Sequence, residues 1–428
     1  MDHLRGVVDS VRASFFVLPA VAMVVAFVGG RFAVGVDVGS WVGEATVNSS
    51  RAVLSTVAAA TITFASITFS VALLIMQQGS AQFSPRVIPG LTRDPFNRRV
   101  IAVVVGTFTY CLVVLQRVRA PLADDGEAVI PSFAVSLGLV FGLGAVLAVV
   151  AAIHHTAQQM DVSKILGAIV TEAIRTPVTV SGLTATDRVD PPAGLPSTVV
   201  RFDESGWVRQ VDVDALIECT PPGGATRLET IAGRYAIPST ILATIWPAVP
   251  SKDLEAVAHS VRDAVKVGPT RTMVEDAAYG IRQLVDVALK ALSPGINDPT
   301  TAQDAIFHLG TLLVERLTSP LPASAYQGDD DRRLLMPQAL TDRTLAELAF
   351  GELRMAAADK PAVCIYLFEM IADVSEAIHG NDRDLPLVEQ AALLLVNAER
   401  AGMPDHEMQR VRNAYTARFG NPTTTTES

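Results

Sequence analysis

An uncharged apolar stretch near the N-terminal end constrains the fold of this chain more than any other feature. Residues 52–76 read AVLSTVAAATITFASITFSVALLIM and contain no Asp, Glu, Lys or Arg. As a helix that rises about 1.5 Å per residue, such a stretch is long enough to cross a hydrocarbon core of about 30 Å. The sequence therefore predicts a membrane-spanning helix at this position.

The same stretch is unusual in its hydroxyl content. A rotation of about 100° per residue places most of its polar side chains on one side of the predicted helix. The candidate pore-lining or helix-packing positions on that side are Thr56, Thr63, Ser66, Ser70 and Gln77. Two interpretations stay open, because small hydroxyl residues let membrane helices pack closely, whereas successive polar rings in an oligomer could line a wet path.

Three further apolar runs complete a predicted four-helix transmembrane bundle. The predicted spans cover residues 13–30, 52–76, 100–115 and 132–153, within a transmembrane domain at 1–153. The third run is short for a bilayer and carries small or polar residues at 106, 107 and 109–111, so we expect it in the interior of the bundle. Gly138 and Gly142 in the fourth run are four residues apart, which predicts a face for close helix packing.

Basic residues near the ends of the spans predict the orientation in the membrane. The segment 77–99 carries four arginines, whereas the segment 117–131 carries two arginines and three acidic residues. Positively charged loops stay on the cytoplasmic side of a membrane. We therefore expect the N-terminus and everything after about residue 154 to lie in the cytoplasm.

Composition and cysteine usage exclude several classes of function. The chain carries a net charge of −10 and no block rich in Lys and Arg, which argues against nucleic acid as a partner. Its three cysteines are widely separated, so neither a disulfide framework nor a zinc cluster is indicated. We expect no metal and no cofactor.

The apolar weight is concentrated before residue 153, and the remainder is predicted to form a cytoplasmic α+β domain. Its predicted parts are a connecting helix at 154–176, a small β-rich module at 177–250, a helical domain at 251–420 and a disordered tail at 421–428. In the β-rich module, 197–202 and 207–211 are predicted to form a hairpin around a Gly-containing turn. In the helical domain, 318–337 is predicted to be an exposed link.

The densest polar pattern in the helical domain follows one face of a predicted helix. Arg282, Asp286 and Lys290 are spaced by four residues, which brings their side chains together on a helix. They could form an ion-pair ladder that orients the loop after the helix. Alternatively, Arg282 and Lys290 could bind an anion or a lipid headgroup together with backbone amides of that loop.

The loop after this helix is rich in residues that fix turns. Pro294 and Gly295 end the helix, Asn297 and Asp298 can close an Asx-type turn, and Thr300 is the predicted cap of the next helix. So much turn chemistry in a few residues predicts a loop that is held in one shape. It could be a corner between two helices, or a docking or binding point.

Two segments resemble the DUF2254 family of predicted bacterial membrane proteins. They are SAQFSPRVIPGLTRDPFNRRVIAVVVGTFTYCLVVL at 80–115 and YGIRQLVDVALKALSPGINDPTTA at 279–302, with SGWVRQVDVDAL at 205–216 between them. The resemblance extends over nearly the whole chain and implies a multi-pass protein of the bacterial inner membrane. Because the family is defined by a domain of unknown function, the resemblance transfers no catalytic residue.

Three functional classes are compatible with these features. The first is a homo-oligomeric, channel-like conduit lined by the second span, with a cytoplasmic gating or regulatory domain. The second is a membrane-anchored scaffold or sensor whose cytoplasmic domain binds a protein or a small ligand. The third is an enzyme at the membrane surface, but no nucleophile, base or metal constellation stands out, so we do not expect catalysis. The hydroxyl side of the second span favours the conduit.

Overall fold

A computed structural model describes most of the chain and divides it into two compact units, Met1–Asp161 and Val162–Ser428. The described residues are 17–35, 46–82, 95–119, 131–158, 161–176, 184–186, 190–320, 322–337, 340–378 and 383–420. The predicted tail at 421–428 and the first four residues of the first predicted span lie outside these ranges.

Most described residues of the first unit lie in helices. Its helices are α1 (Val17–Ala33), α2 (Val47–Gln82), α3 (Pro95–Leu115) and α4 (Ser132–Gln158). Within the described ranges, three stretches are long and apolar enough to cross a membrane: Val47–Leu74, Phe96–Leu115 and Ser132–Thr156. Helix α1 is apolar but has 17 residues, which is short for a bilayer. The second, third and fourth predicted spans are therefore confirmed by length and composition, and the first, at 13–30, stays a prediction.

Two helices of this unit pack closely at the glycines that the sequence predicted for this role. A Cβ atom added to Gly138 would lie 2.9 Å from Leu54 Cδ2, and one added to Gly142 would lie 2.8 Å from Val57 Cγ1. The small face of α4 is therefore used against α2, as predicted. Helix α3 packs against α1, α2 and α4. In the most apolar part of α3, 44% of the residues are buried, against 22% in that of α2. This difference agrees with the expected interior position of α3.

The second unit combines helices with two sheets. Its helices are α5 (Val162–Arg175), α6 (Val213–Glu218), α7 (Leu254–Asp263), α8 (Ala277–Leu292), α9 (Pro299–Thr318), α10 (Asp342–Ala357), α11 (Pro361–Ala377), α12 (Leu385–Arg400) and α13 (Asp405–Phe419). Its strands are β1 (Thr184–Thr186), β2 (Thr198–Arg201), β3 (Gly206–Val211), β4 (Ala225–Leu228), β5 (Tyr235–Ala236), β6 (Ile241–Trp246), β7 (Val265–Gly268), β8 (Ala325–Gln327) and β9 (Arg333–Leu335). The strand orders are β1-β8-β9-β4-β6-β2 and β5-β3-β7.

The predicted hairpin at 197–202 and 207–211 is wrong. Strand β2 pairs with β6 in the larger sheet, whereas β3 pairs with β5 and β7 in the smaller one. The turn between the two strands carries the chain from one sheet to the other. Val200 of β2 and Val208 of β3 consequently enter one hydrophobic core from different sheets. Burial against this shared core decides the pairing, and adjacency in sequence does not.

The predicted exposed link at 318–337 is also wrong. It contains β8 and β9, which join the larger sheet, and β9 runs parallel to β4. Ala325, Leu334 and Leu335 are completely buried there. The three-residue strands are too short for their alternation to stand out between the charged residues around them, so the sequence reads as a loop.

The helical part of this unit is built around α8. This helix packs against α5, α9 and α10, and Ile281, Leu284 and Val285 are completely buried in it. Polar residues on α8 are also enclosed, since Gln283 is 6% exposed and Asp286 is 9% exposed. Side chains from several helices therefore surround α8 within its own chain.

Candidate functional site

The predicted polar side of α2 does not face the other helices of its unit. Its candidate side chains, Thr56, Thr63, Ser66, Ser70 and Gln77, are all exposed. The opposite side of α2 is buried, with Leu54 at 0%, Ala58 at 6% and Thr61 at 1% exposure. Packing among the described helices of this unit therefore uses the side of α2 that lies away from the candidate positions.

Two of the exposed hydroxyl groups bond to their own helix. The Oγ1 of Thr63 donates to the carbonyl of Ala59 at 3.0 Å, and the Oγ of Ser66 donates to the carbonyl of Ile62 at 3.2 Å. This local bonding is common for Ser and Thr in helices. Because the hydroxyl protons are used, the lone pairs of both oxygens remain as acceptors at the helix surface.

The exposed polar side of α2 repeats every seven residues. One row consists of Ala52, Ala59 and Ser66, and a second row consists of Thr56, Thr63, Ser70 and Gln77. Large apolar side chains border these rows, namely Ile62 and Phe69 on one side and Ile67 and Leu74 on the other. A seven-residue repeat matches helices that wind around one another with a left-handed twist. The polar side of α2 therefore has the spacing of a helix-to-helix seam.

The loop between α8 and α9 is closed by its own backbone. The amides of Ile296 and Asn297 both donate to the carbonyl of Ser293, at 3.0 and 2.9 Å. The amide of Asp298 donates to the carbonyl of Ala291 at 2.8 Å. Asn297 has a φ of 48°, a left-handed conformation that Asn tolerates. These bonds fix the backbone of the loop, and Pro294, Gly295 and Ile296 are exposed on it.

Asp298 is the cap of α9. Its Oδ1 accepts from the amides of Thr300 and Thr301 at 3.1 Å, and its Oδ2 accepts from the Thr301 hydroxyl at 2.6 Å. The Thr301 hydroxyl is the main reason that the pKa of Asp298 lies below its ordinary value. The predicted cap at Thr300 is wrong, because Pro299 occupies the first helical position and makes the preceding residue the N-cap.

The polar ladder of α8 has a partner that the sequence did not reveal. The Nε of Arg282 lies 2.9 Å from Asp286 Oδ1, as the helical spacing predicts. The guanidinium also bonds to both carboxylate oxygens of Glu352 on α10. The hydrogen bond to Glu352 is the main reason that the pKa of Arg282 is raised. The guanidinium of Arg282 already pairs with two carboxylates. For this residue the structure therefore favours the ion-pair ladder over the binding of an anion.

Lys290, the third residue of the ladder, lies in the last turn of α8. Its carbonyl accepts from the Ser293 hydroxyl at 2.6 Å and from the Ser293 amide at 3.2 Å. The last turn of the helix is thus tied to the start of the loop. The side chain of Lys290 is partly exposed.

Sequence reasoning missed a buried charge cluster at the start of α8. The Nε of Arg271 lies 2.6 Å from Asp276 Oδ2, and its guanidinium stands over the rings of Tyr279 at 4.9 Å and Trp207 at 5.6 Å. Burial of Asp276 is the main cause that raises its pKa. The cluster joins the smaller sheet to the helices. Asp276 before an apolar helix is a recognisable cap signal, but its pairing with Arg271 depends on the fold.

Candidate metal ligands do not cluster in the described part of the chain. Across these ranges, no three His, Cys, Asp or Glu side chains come together as metal ligands would. The candidate positions therefore fall into two groups, the exposed polar side of α2 in the first unit and the fixed loop after α8 in the second.

Comparisons with known proteins agree with a membrane protein. The family model described as "Predicted membrane protein (DUF2254)" matches residues 12–373. Uncharacterised proteins of Mycobacterium tuberculosis and Mycobacterium bovis are 27% identical over 421 residues, which cover 94% of this chain and 79% of each relative. No solved structure matches this chain significantly.

Proposed function

Because the chain belongs to the DUF2254 family of predicted membrane proteins, we propose that it forms a homo-oligomeric, channel-like conduit in the bacterial inner membrane. In this proposal, copies of α2 surround a path for small polar solutes or ions. One observation carries the proposal: α2 turns its hydroxyl side away from its own bundle, where Thr63 and Ser70 are exposed. The Thr63 hydroxyl donates to its own helix, so lipid leaves only its acceptor oxygen without a partner, whereas further copies or water can supply donors.

The seven-residue repeat of α2 supports an assembly of identical chains. Identical helices that meet along such a repeat place the same residue at the same height, so each hydroxyl position becomes a ring. Large side chains such as Ile62 and Phe69 beside the polar rows can contact lipid or the neighbouring copy. The proposed path is therefore lined by several small polar rings.

The oxygen atoms of these rings favour solutes that need hydrogen-bond acceptors or oxygen ligands. The apolar stretch of α2 carries no charged residue, so charge alone does not select the valence of an ion. The hydroxyls of Thr63 and Ser66 already donate to their own helix and offer oxygen lone pairs. Cations and solutes with N–H or O–H donors fit such oxygens better than anions do.

The second unit serves as a cytoplasmic gating or regulatory domain in this proposal. The arginine-rich segment at 77–99 supports this cytoplasmic placement, because positive charge favours the cytoplasmic side of a membrane. No catalytic role is part of the proposal. The alternative function is a membrane-anchored scaffold or sensor, and the exposed loop with a fixed backbone at Pro294 and Gly295 favours it.

Flux through liposomes tests the conduit. Purified full-length protein is reconstituted, and uptake is measured for potassium, sodium, ammonium, chloride and small neutral solutes. We expect flux of at least one cation or donor-bearing solute, and we expect Thr63→Leu combined with Ser70→Leu to reduce it about tenfold or more, because apolar rings close a path by dewetting. The matched control is Ile62→Leu, which lies next to Thr63 on the apolar flank and should leave the flux unchanged.

Two outcomes would reject the conduit. One is the absence of flux across the whole solute panel in liposomes that contain folded protein. The other is a flux that the Thr63 and Ser70 substitutions do not alter. Either outcome leaves the scaffold or sensor as the better account of this chain.

A further inference from the structure

A cavity of about 450 Å³ lies beside the fixed loop of the second unit. The end of α8, the turn between α10 and α11, and the end of α12 form its walls. Apolar side chains line most of it, including Leu289, Leu292 and Met355, and Ala401 forms part of one wall. A cavity of this size falls within the range of small-molecule sites, which are mostly apolar with a few placed polar groups.

The charged side chains that line this cavity form one ion pair. The Nζ of Lys360 lies 2.5 Å from Asp359 Oδ1 and donates to the carbonyl of Ala356 at 3.2 Å. These two bonds use two of the three ammonium protons. The side chain of Asp359 is 67% exposed, so its carboxylate is accessible from solvent. The hydrogen bond from Lys360 is the main reason that the pKa of Asp359 lies below its ordinary value.

Two of the three walls of the cavity are closed by backbone hydrogen bonds before any ligand arrives. On one side, the loop is closed by the amides of Ile296 and Asn297 on the Ser293 carbonyl. On the other side, the turn after α10 is closed by the amide of Lys360, which donates to the carbonyl of Ala357 at 2.8 Å. A ligand therefore meets a site that needs little ordering, which favours affinity.

We propose that this cavity binds a free α-amino acid with an apolar side chain. The ammonium group of the ligand pairs with Asp359, its carboxylate pairs with Lys360, and its side chain packs against Leu289, Leu292 and Met355. The site is independent of the conduit, since it lies wholly within the second unit.

Charge balance selects a zwitterion over other amphiphiles. Lys360 and Asp359 together carry no net charge, so a ligand with a single charge would take one partner and leave the other unpaired. A zwitterion replaces the pair without leaving either group unmatched. The Asp359 carboxylate of this pair is exposed to solvent, which screens its attraction to Lys360, so separating the two side chains costs little.

Calorimetric titration of the full chain in detergent tests this assignment. The probes are L-leucine and L-methionine, together with 4-methylpentanoate, which lacks the ammonium, and 3-methylbutylamine, which lacks the carboxylate. We expect saturable binding of at least one amino acid. We expect each leucine analogue to bind about tenfold or more weakly than leucine, because each loses a charged hydrogen bond.

Variants separate a specific site from a general effect. Asp359→Asn should weaken amino-acid binding about tenfold, because the ammonium loses its counter-charge. Ala401→Leu should weaken binding, because the larger side chain occupies part of the cavity. Ala417→Leu, at an exposed position of α13 away from the cavity lining, is the matched control and should bind as the unaltered chain does. Circular dichroism melting confirms that each variant is folded.

Several results would overturn the assignment. They are no binding of either amino acid at millimolar concentration, binding of 4-methylpentanoate as tight as that of leucine, or undiminished binding by folded Ala401→Leu. Should Ala401→Leu fail to fold, Asp359→Asn decides alone: unchanged binding by that variant rejects the site.

Discussion

Helices α2 and α8 carry polar residues in opposite settings. On α8, Gln283 and Asp286 are buried, and Asp286 pairs with Arg282, which also reaches Glu352 on α10. On α2, Thr63 and Ser66 are exposed, and their hydroxyl protons return to the backbone of the same helix. On α8, the buried ion pair of Arg282 and Asp286 is joined by Glu352 from another helix, whereas these hydroxyls of α2 lie at the surface of their unit.

This difference separates two uses of a helix. Every face of α8 contributes buried residues, which is the pattern of a central structural helix. Helix α2 buries one side and exposes a seven-residue repeat on the other. A helix with an unused polar side in a membrane protein is suited to contact with further copies or with a water-filled path. Substitutions on the two helices should therefore change the free energy of unfolding by different amounts.

The largest expected effect is a cavity in α8. Leu284→Ala removes a side chain that is completely buried, so we expect a loss of about 2–5 kcal/mol in the free energy of unfolding of the second unit. The control is Ile62→Ala on α2, where the side chain is 50% exposed and a change below about 0.5 kcal/mol is expected in its own unit. Urea unfolding of the full chain in detergent measures both. Equal losses would remove the contrast between the helices.

The two sides of α2 can be compared directly. Thr61 is 1% exposed and donates to the carbonyls of Val57 and Ala58, so Thr61→Leu overpacks the bundle and should cost about 1–3 kcal/mol. Thr63→Leu places the same side chain on the exposed side and should change stability by less than about 0.5 kcal/mol. Thermal melting in one detergent compares the two variants. A larger loss for Thr63→Leu would mean that its side of α2 is tightly packed against protein and is not open to water.

A smaller effect is expected at the loop that follows α8. Asp298→Ala removes the cap of α9 and should cost about 1 kcal/mol, whereas Thr300→Ala, at the position that the sequence favoured as the cap, should be nearly neutral. Denaturant unfolding at neutral pH distinguishes them. A neutral Asp298→Ala together with a costly Thr300→Ala would contradict the observed capping.

The same carboxylate gives a dependence on pH. Because the pKa of Asp298 is lowered in the folded chain, its contribution is complete above the unfolded pKa of about 3.9 and is lost as the pH falls through the folded value. The stability of the unaltered chain should therefore fall more steeply below about pH 4 than that of Asp298→Asn. Parallel profiles for the two proteins would show that Asp298 contributes nothing to acid sensitivity.

Local features of this fold could be predicted from the sequence, and distant pairings could not. Neighbouring residues determine where α8 ends, how Asn297 and Asp298 turn the chain and where the next helix begins. These features could therefore be predicted from the sequence. The pairing of β4 with β9 joins Ala225 to Arg333, and Arg282 meets Glu352 from another helix. Such contacts depend on which surfaces the whole unit buries, and no local pattern encodes that choice.

The candidate site on α2 shows the same limit. Helical periodicity predicts that Thr56, Thr63 and Ser70 share one side, because that follows from the rotation per residue. Which side of α2 is buried depends on Gly138 and Gly142 of α4, which let Leu54 and Val57 approach closely. The sequence left packing and lining open for this reason. The structure removes packing within the described bundle as an explanation for these hydroxyls.

The most direct test asks what surrounds the polar side of α2 in a bilayer. Spin labels at Thr63→Cys and, as a control, Ile62→Cys are placed in liposomes, and their relaxation is measured with a water-soluble nickel chelate and with oxygen, in a background without the three native cysteines. The conduit predicts that position 63 responds mainly to the chelate and position 62 mainly to oxygen. If position 63 responds to oxygen as a lipid-facing residue does, the hydroxyl side of α2 lies in lipid and the conduit is contradicted.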